Sequence, residues 1–231
     1  GAVYVHVNDV RIAVAAGGYR LPNAEEGERL LGGLGLTPDT MVVAYDDTGG
    51  LHASRLFFTL EVLGHPRAAL LDGGIQAWRR AGLPVTRDIP KLAPTTYRPT
   101  VDADRAVSAE WVRDHLGAGI VLVDARTHEE FTGRDVRAKR GGHIPGAVNV
   151  EWKRNLRPDL RFKPRDELRA LYAGAGVTPD KTVVTYCHSS WLRVKAGWSL
   201  RLRLLVGFQR RSRVAPRSQP RAQATAVMPS R

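Results

Sequence analysis

One cysteine stands among the 231 residues, Cys187, and it closes a short β-branched run, Thr182 to Tyr186, with His188, Ser189 and Ser190 directly behind it. A thiol at the carboxyl end of a strand is presented by a rigid element, and the backbone N–H groups after it can curl into an anion-holding nest at a helix start. A thiol held that way ionises readily, which makes the nucleophilic thiolate available. A lone cysteine is more ordinarily a small buried hydrophobe. The polar residues behind Cys187 argue otherwise, because they end the strand instead of continuing a core.

Such a residue needs a frame, and the sequence supplies it twice. The stretch from Glu26 to Asp47 aligns without gaps on Glu167 to His188 at an offset of 141, matching Glu26, Leu30, Gly33, Gly35, Thr37, Pro38 and Asp39. Upstream, the run from Gly1 echoes the run from Gly146 at an offset of 145. A repeat of that length is a duplicated domain, not a solenoid period. The offset places Asp46 where the second half has Cys187, so one half keeps a sulfur nucleophile and the other keeps only the architecture. The expected division is a first domain over 1–88, a linker over 89–107 that crosses the surface, a second domain over 108–190 and a tail over 191–231.

Within each half, strand and helix patterns alternate. Met41 to Tyr45, Ile120 to Val123 and Thr182 to Tyr186 suit buried parallel strands. Ser108 can cap a helix; Arg165 to Tyr172 reads as a helix stopped by Gly174; Ala53, Leu56, Phe57, Leu60 and Leu63 keep one helix face. The expected fold is α/β, each domain a mainly parallel sheet flanked by helices, with sites at the carboxyl ends of the strands.

Composition excludes other classes. One cysteine forms no internal disulfide, and it leaves no zinc-ligand spacing, so a secreted disulfide scaffold and a zinc module both fall away and a reducing, cytoplasmic setting is expected. No cofactor or metal is called for. No apolar run approaches the roughly 20 residues that span a bilayer; the opening residues have no basic or apolar leader pattern and no initiator Met, which suggests a fragment or a processed end. The formal net charge of +12 invites a nucleic-acid reading, but residues 191–231 hold ten Lys or Arg and no Asp or Glu, leaving the rest nearly neutral. The tail has neither interleaved aromatics nor a recognition-helix pattern, so nucleic acid is not the expected partner. Its lack of acidic residues and its Arg, Pro and Ser content suggest disorder, as an out-of-frame reading of a GC-rich gene would give.

Four motifs together resemble the tandem-domain sulfurtransferases of the rhodanese type: GlyHisIleProGlyAla at Gly142 to Ala147, AspAlaArgThrHisGluGluPheThrGly at Asp124 to Gly133, TyrCys at Tyr186, and LeuAspGlyGlyIleGlnAlaTrp at Leu71 to Trp78. The resemblance implies transfer of a sulfane sulfur from a small anionic donor, thiosulfate or 3-mercaptopyruvate, through a persulfide on catalytic Cys187 to cyanide or a thiol acceptor. His188, Ser189, Ser190 and Arg193 would bind the donor, and Asp124 with Arg126 would form an ion pair bracing the loop. His143 reads as structural, Trp78 as core, and Asp72 to Gly74 as a turn.

Three departures bear on that implication. The run from Gly1 opens at what would be the Gly-Ala of the amino-terminal GlyHisIleProGlyAla motif, so that half is expected to be incomplete, without its first strand and associated helix. Glu130 stands where many family members carry a substrate-reading Arg, and a carboxylate there would repel an anionic donor. After Cys187 an amphipathic helix is expected, yet Trp198, Leu200, Leu202 and Leu204 recur with a period of two. Other readings stay open. Cys187 to Arg193 spells Cys-x5-Arg, the spacing of cysteine phosphatases and arsenate reductases, with Arg193 as the oxyanion clamp. A non-catalytic remnant whose tail binds acidic partners is the third.

Overall fold

The computed structural model describes residues 1–15, 18–187, 190–194 and 225–228. The first repeat runs through β1 (Ala2–Tyr4), β2 (Ile12–Ala13), β3 (Tyr19–Arg20), α1 (Ala24–Gly33), β4 (Val42–Ala44), α2 (Ala53–Val62), β5 (Ala68–Leu70) and α3 (Gly74–Arg80). The second runs through α4 (Ala109–Asp114), β6 (Ile120–Asp124), α5 (His128–Thr132), β7 (Val148–Asn149), α6 (Arg165–Ala173), β8 (Thr182–Cys187) and β9 (Ser190–Val194); the last strand, β10, is Thr225–Met228. Among the described residues no helix is long and apolar enough to cross a membrane.

Each repeat is organised on a four-stranded sheet. The first has the order β1-β10-β4-β5, all parallel. The second has the order β7-β6-β8-β9, parallel except that β9 runs antiparallel to β8. The expected α/β architecture is therefore present in both halves. The tail differs from the expectation of disorder at two places, since 191–194, within the strand Ser190–Val194, and 225–228 are extended. An alternating or uncharged run next to an unpaired strand edge gains a ladder of backbone hydrogen bonds that it could not make alone.

Local chemistry explains the helices. Asn23 and Glu26 form a reciprocal capping box on α1, and Thr127 and Glu130 form another on α5. Ser108 accepts the Trp111 N–H at the start of α4. Helix α6 ends at Gly174, which stays right-handed, and the left-handed reversal falls on Gly176 at φ 75°. Helix α2 buries more than one face: Phe58, Thr59 and Val62 join Leu56, Phe57 and Leu60 inside. Trp78 is not core. It is half-buried at the edge of α3 and donates its indole N–H to the Pro84 carbonyl at 2.9 Å, which satisfies its polar end near the surface.

Residues 89–107 lie on the first repeat as a strap. Thr95 N donates to Gly32 O at 2.9 Å, Asp102 N to Val62 O at 2.8 Å, and Tyr97 is inserted into the first core at 3% exposure. Gly64 shows how close the approach is: a Cβ there would stand 2.3 Å from the Thr100 carbonyl oxygen, and its φ of +74° already disfavours a side chain.

Under the strap lies His65, 4% exposed, with Nε2 at 3.0 Å from the Thr40 carbonyl and Nδ1 at 2.8 Å from the Tyr97 hydroxyl. A carbonyl only accepts, so Nε2 carries the proton and Nδ1 accepts from Tyr97, the neutral tautomer. Burial lowers the His65 pKa. The unfolded chain then binds the proton more readily, so this contribution to stability is complete above the unfolded value of about 6.5 and is lost as pH falls from there toward the lowered folded value. Urea midpoints should therefore decline from pH 7.5 to 5.5 in the parent and change less in His65→Gln; equal slopes would count against the neutral buried imidazole.

Candidate functional site

The carboxyl ends of β6 and β8 lie side by side, with Asp124 opposite Tyr186 in register and Cys187 one residue beyond, exposed to solvent. At the end of β6 the Asp124 carboxylate is fully buried and pairs with Arg126 at 2.6 Å. Arg126 Nη2 also donates to the Gly142 carbonyl at 2.8 Å, which ties the GlyHisIlePro turn to the strand end. Asn149 on β7 donates to the carbonyls of Asp124 and Arg126, both at 3.0 Å. Hydrogen bonding to Asp124 raises the Arg126 pKa further. Tyr186, next to the cysteine, is pushed up to about 12, chiefly by burial, with the Ile144 backbone hydrogen bond opposing and Asp124 adding to the rise, so its hydroxyl stays protonated and donor-capable.

His143 stacks on Phe131 at 3.7 Å and 10°, with Nδ1 at 2.8 Å from the Phe131 carbonyl, a packing position. Glu130 does not face an anionic donor. It is 4% exposed, and its carboxylate accepts the Thr127 N–H at 3.1 Å as part of the α5 cap. The side chain is turned inward by its own helix terminus, not outward as the expected repulsion requires.

The first repeat holds a different group at the equivalent place. Asp46, 1% exposed, follows β4 as Cys187 ends β8, and the loop behind it folds around its carboxylate. Four backbone N–H groups donate to it: Thr48 at 3.0 Å, Gly50 at 2.8 Å, His52 at 2.7 Å and Ala53 at 2.9 Å, the last opening α2. This is a helix N-terminus closed over an internal anion. The LeuAspGlyGly turn completes it, since a Cβ on Gly74 would stand 2.2 Å from the Asp46 carbonyl oxygen.

Behind Cys187 the chain does something else. His188 and Ser189 lie outside the described residues, and from Ser190 the backbone runs back along β8, pairing Ser190 with Cys187, Leu192 with Thr185 and Arg193 with Val184. The helix start expected there is replaced by a strand over Ser190–Val194, while Trp198, Leu200, Leu202 and Leu204, with their period of two, lie outside the described residues. The register also carries the Arg193 backbone about 10 Å along β9 from the Cys187 pairing. A Cys-x5-Arg loop that arches back over an oxyanion does not have this shape.

The cation coupled electrostatically to the strand-end cysteine comes from the other repeat. Arg55 on α2 is half-buried, and its Nε donates to the Val10 carbonyl at a long 3.4 Å. Burial lowers its pKa; the negative charge of Cys187 acts in the opposite sense, and Arg11 in the same sense as burial. Sequence reasoning did not select Arg55. The available signal was a basic residue in the first turn of a helix most of whose residues are buried, Glu61 being its only other charged residue.

Beside this region a cleft of about 560 Å³ opens between Thr48 and Leu51 of the first repeat and Trp152, Leu156, Pro158 and Leu160 of the second, with Lys153 and Arg157 at its edge. Trp152 N donates to Ala125 O at 3.1 Å, and Ala125 N to Tyr186 O at 3.0 Å, so the cleft wall is two backbone bonds from the strand that carries the cysteine. The repeats are held together by Asp72, which accepts the Phe162 N–H at 2.8 Å, and by Arg80, which donates to the Asp159 carbonyl at 2.6 Å. Phe162 packs against both cores.

Two parallel-sheet units in tandem, a strand-end thiol in one and a caged carboxylate in the other, define a duplicated α/β protein with one nucleophile. The chain matches the Rhodanese-like domain at residues 1–81 and again at 108–214, and it belongs to that family. It is 36% identical over 169 residues to a thiosulfate sulfurtransferase of Azotobacter vinelandii, an alignment covering 73% of this chain and 62% of that one. It is 35% identical over 198 residues to the sulfur carrier protein TtuD of Thermus thermophilus, covering 80% and 68%. The chain thus spans a little over six-tenths of the Azotobacter enzyme's length. Among solved structures, the 3-mercaptopyruvate sulfotransferase SseA of Escherichia coli superposes with a TM-score of 0.72 at 26% identity, covering 82% of this chain and 73% of that one. An anaerobic ergothioneine biosynthesis enzyme of Chlorobium limicola shares the fold at a TM-score of 0.71 and 24% identity, covering 81% and 50%.

Proposed function

We propose that the protein is a sulfurtransferase that carries a sulfane sulfur on Cys187. The observation that supports this most directly is an exposed thiol at the carboxyl end of β8, beside the end of β6 that the Asp124–Arg126 pair pins in place. The Cys187 thiolate attacks the outer sulfur of thiosulfate; the new S–S bond forms as the sulfur–sulfonate bond breaks, and sulfite leaves with the electron pair. The persulfide left on Cys187 then gives its outer sulfur to cyanide or to a thiol, and the thiolate returns. With 3-mercaptopyruvate the same attack leaves pyruvate once the carbanion is protonated.

Three features favour anionic donors. Arg55 sets a positive charge against the growing negative charge. Asp46 illustrates, within the same chain, that the fold accommodates a full negative charge at this strand end. The cleft with Lys153 and Arg157 at its edge offers apolar wall for the organic part of a thiol and positive charge for its acid group. His188, Ser189 and Ser190 follow the nucleophile and are the nearest candidates in sequence to contact the donor. Asp124 and Arg126 act at one remove, by fixing the strand end.

The test is intact-mass analysis after incubation with thiosulfate and with 3-mercaptopyruvate in parallel. One added sulfur, mapped to Cys187 and removed by cyanide as thiocyanate, is the expected result, with thiosulfate the faster donor as the Azotobacter relative's name suggests. A second reading is favoured by one observation, the β8–β9 hairpin in place of the loop and helix that surround Asp46. On that reading the fold persists as a non-catalytic remnant. Absence of sulfur addition with both donors would decide for it.

A further inference from the structure

The strand between β1 and β4 does not come from the first repeat. It is β10, from the far end of the chain. In the second repeat the corresponding position, between β7 and β8, is held by β6. The two strands agree in more than position. Val227 lies opposite Val3, and the offset of 145 converts that pair into Val148 opposite Val123, the register observed for β6. On the other side Thr225 lies opposite Val42, and the offset of 141 converts it into Val183 opposite Val121, again the observed register. Two neighbours with two different offsets thus place Thr225–Met228 on Val121–Asp124, parallel in both cases.

We propose that residues 225–228 stand in for β6 in the first repeat, so that the carboxyl-terminal segment is a structural strand of the amino-terminal sheet and belongs to the same molecule. The composition fits a central strand, which has both backbone edges paired and little room for charge. The stretch 222–230 contains no charged residue, whereas the rest of the tail carries an Arg or Lys every few positions. Reach permits the connection in one chain, because the 30 residues between Val194 and Thr225 can extend to roughly 100 Å. The same-chain occupant is favoured over a second copy because both ladders that β10 makes, to β1 and to β4, are formed within one chain and the connecting residues are long enough to span them.

The experiment uses the full chain with Cys187→Ser to remove the native thiol. Val43→Cys and Ala226→Cys are Cα partners, a spacing that a disulfide can bridge. Oxidation with copper phenanthroline should give a monomer that has lost two hydrogens, with a cross-linked peptide joining the two positions. A disulfide-linked dimer would overturn the same-chain assignment in favour of strand exchange between copies. No cross-link, in a reduced variant that melts like its parent, would overturn the proposal outright. Independently, Val227→Pro should lower the melting temperature by about 5 °C or more, since proline breaks a central ladder, while Ser218→Pro should leave it unchanged. Equal melting of the two would also overturn it.

Discussion

Replacing Asp46 with Ala should cost about 3–5 kcal/mol of folding stability, roughly 10 °C in melting temperature. The reason is the number of donors. Thr48, Gly50, His52 and Ala53 all point their N–H groups at this one carboxylate, which is 1% exposed. Each buried donor left without an acceptor costs about 1–3 kcal/mol, and the loop recovers part of that by opening to water. Asp46→Asn keeps one carbonyl oxygen and places an NH₂ against N–H donors, so an intermediate loss is expected. The check is a urea titration of the three proteins with tryptophan fluorescence. If Asp46→Ala unfolds at the parent's midpoint, the carboxylate does not organise the loop.

The second large effect concerns Arg55. In Arg55→Met the apolar stem is retained and the charge removed, and loading of Cys187 by thiosulfate should slow by about 10- to 150-fold, the equivalent of one charge-assisted interaction of about 1.5–3 kcal/mol with the developing anion. Arg55→Lys should recover part of the rate. A purely structural role predicts another pattern, in which both variants lose stability and the loading rate follows the folded fraction. The rate is best read from single-turnover mass spectra over pH 6–9, alongside melting temperatures. A parent-like rate in a folded Arg55→Met variant would remove Arg55 from the reaction.

These two residues illustrate what a sequence conveys and what it does not. The duplicated frame was legible because buried strands such as Val42–Ala44 and Thr182–Cys187 leave β-branched runs, and because the shared GlyxThrProAsp spacing keeps them in phase. The LeuAspGlyGly motif was legible as a turn, but its reason lies elsewhere in the chain, at the Asp46 carbonyl that Gly74 must clear. Arg55 was not legible as a site residue. Its electrostatic coupling is to Cys187 in the other repeat, and no local period records a coupling across repeats. Glu130 misled for a similar reason: its position in the motif suggested an outward charge, whereas the Thr127 hydroxyl and N–H three residues earlier drew it into a cap. The four residues of β10 are too few for a period of two to stand out, and only the vacancy between two distant strands gives them meaning.

The strap over the first repeat limits how the molecule can move. Residues 95–102 are bonded to Gly32, Val62 and Leu63, so the free path between the repeats is only a few residues long, and Asp72 and Phe162 clamp the far side. Hinge opening needs a short segment able to absorb large backbone rotations without breaking packed contacts, and that segment is short here. On the proposed function, a sulfur acceptor would therefore come to Cys187 from bulk solvent, by the exposed face of the β8 end, and not through a gap created by the two halves swinging apart. Selectivity among acceptors would then rest on the fixed relief of that face rather than on closure around a bound molecule.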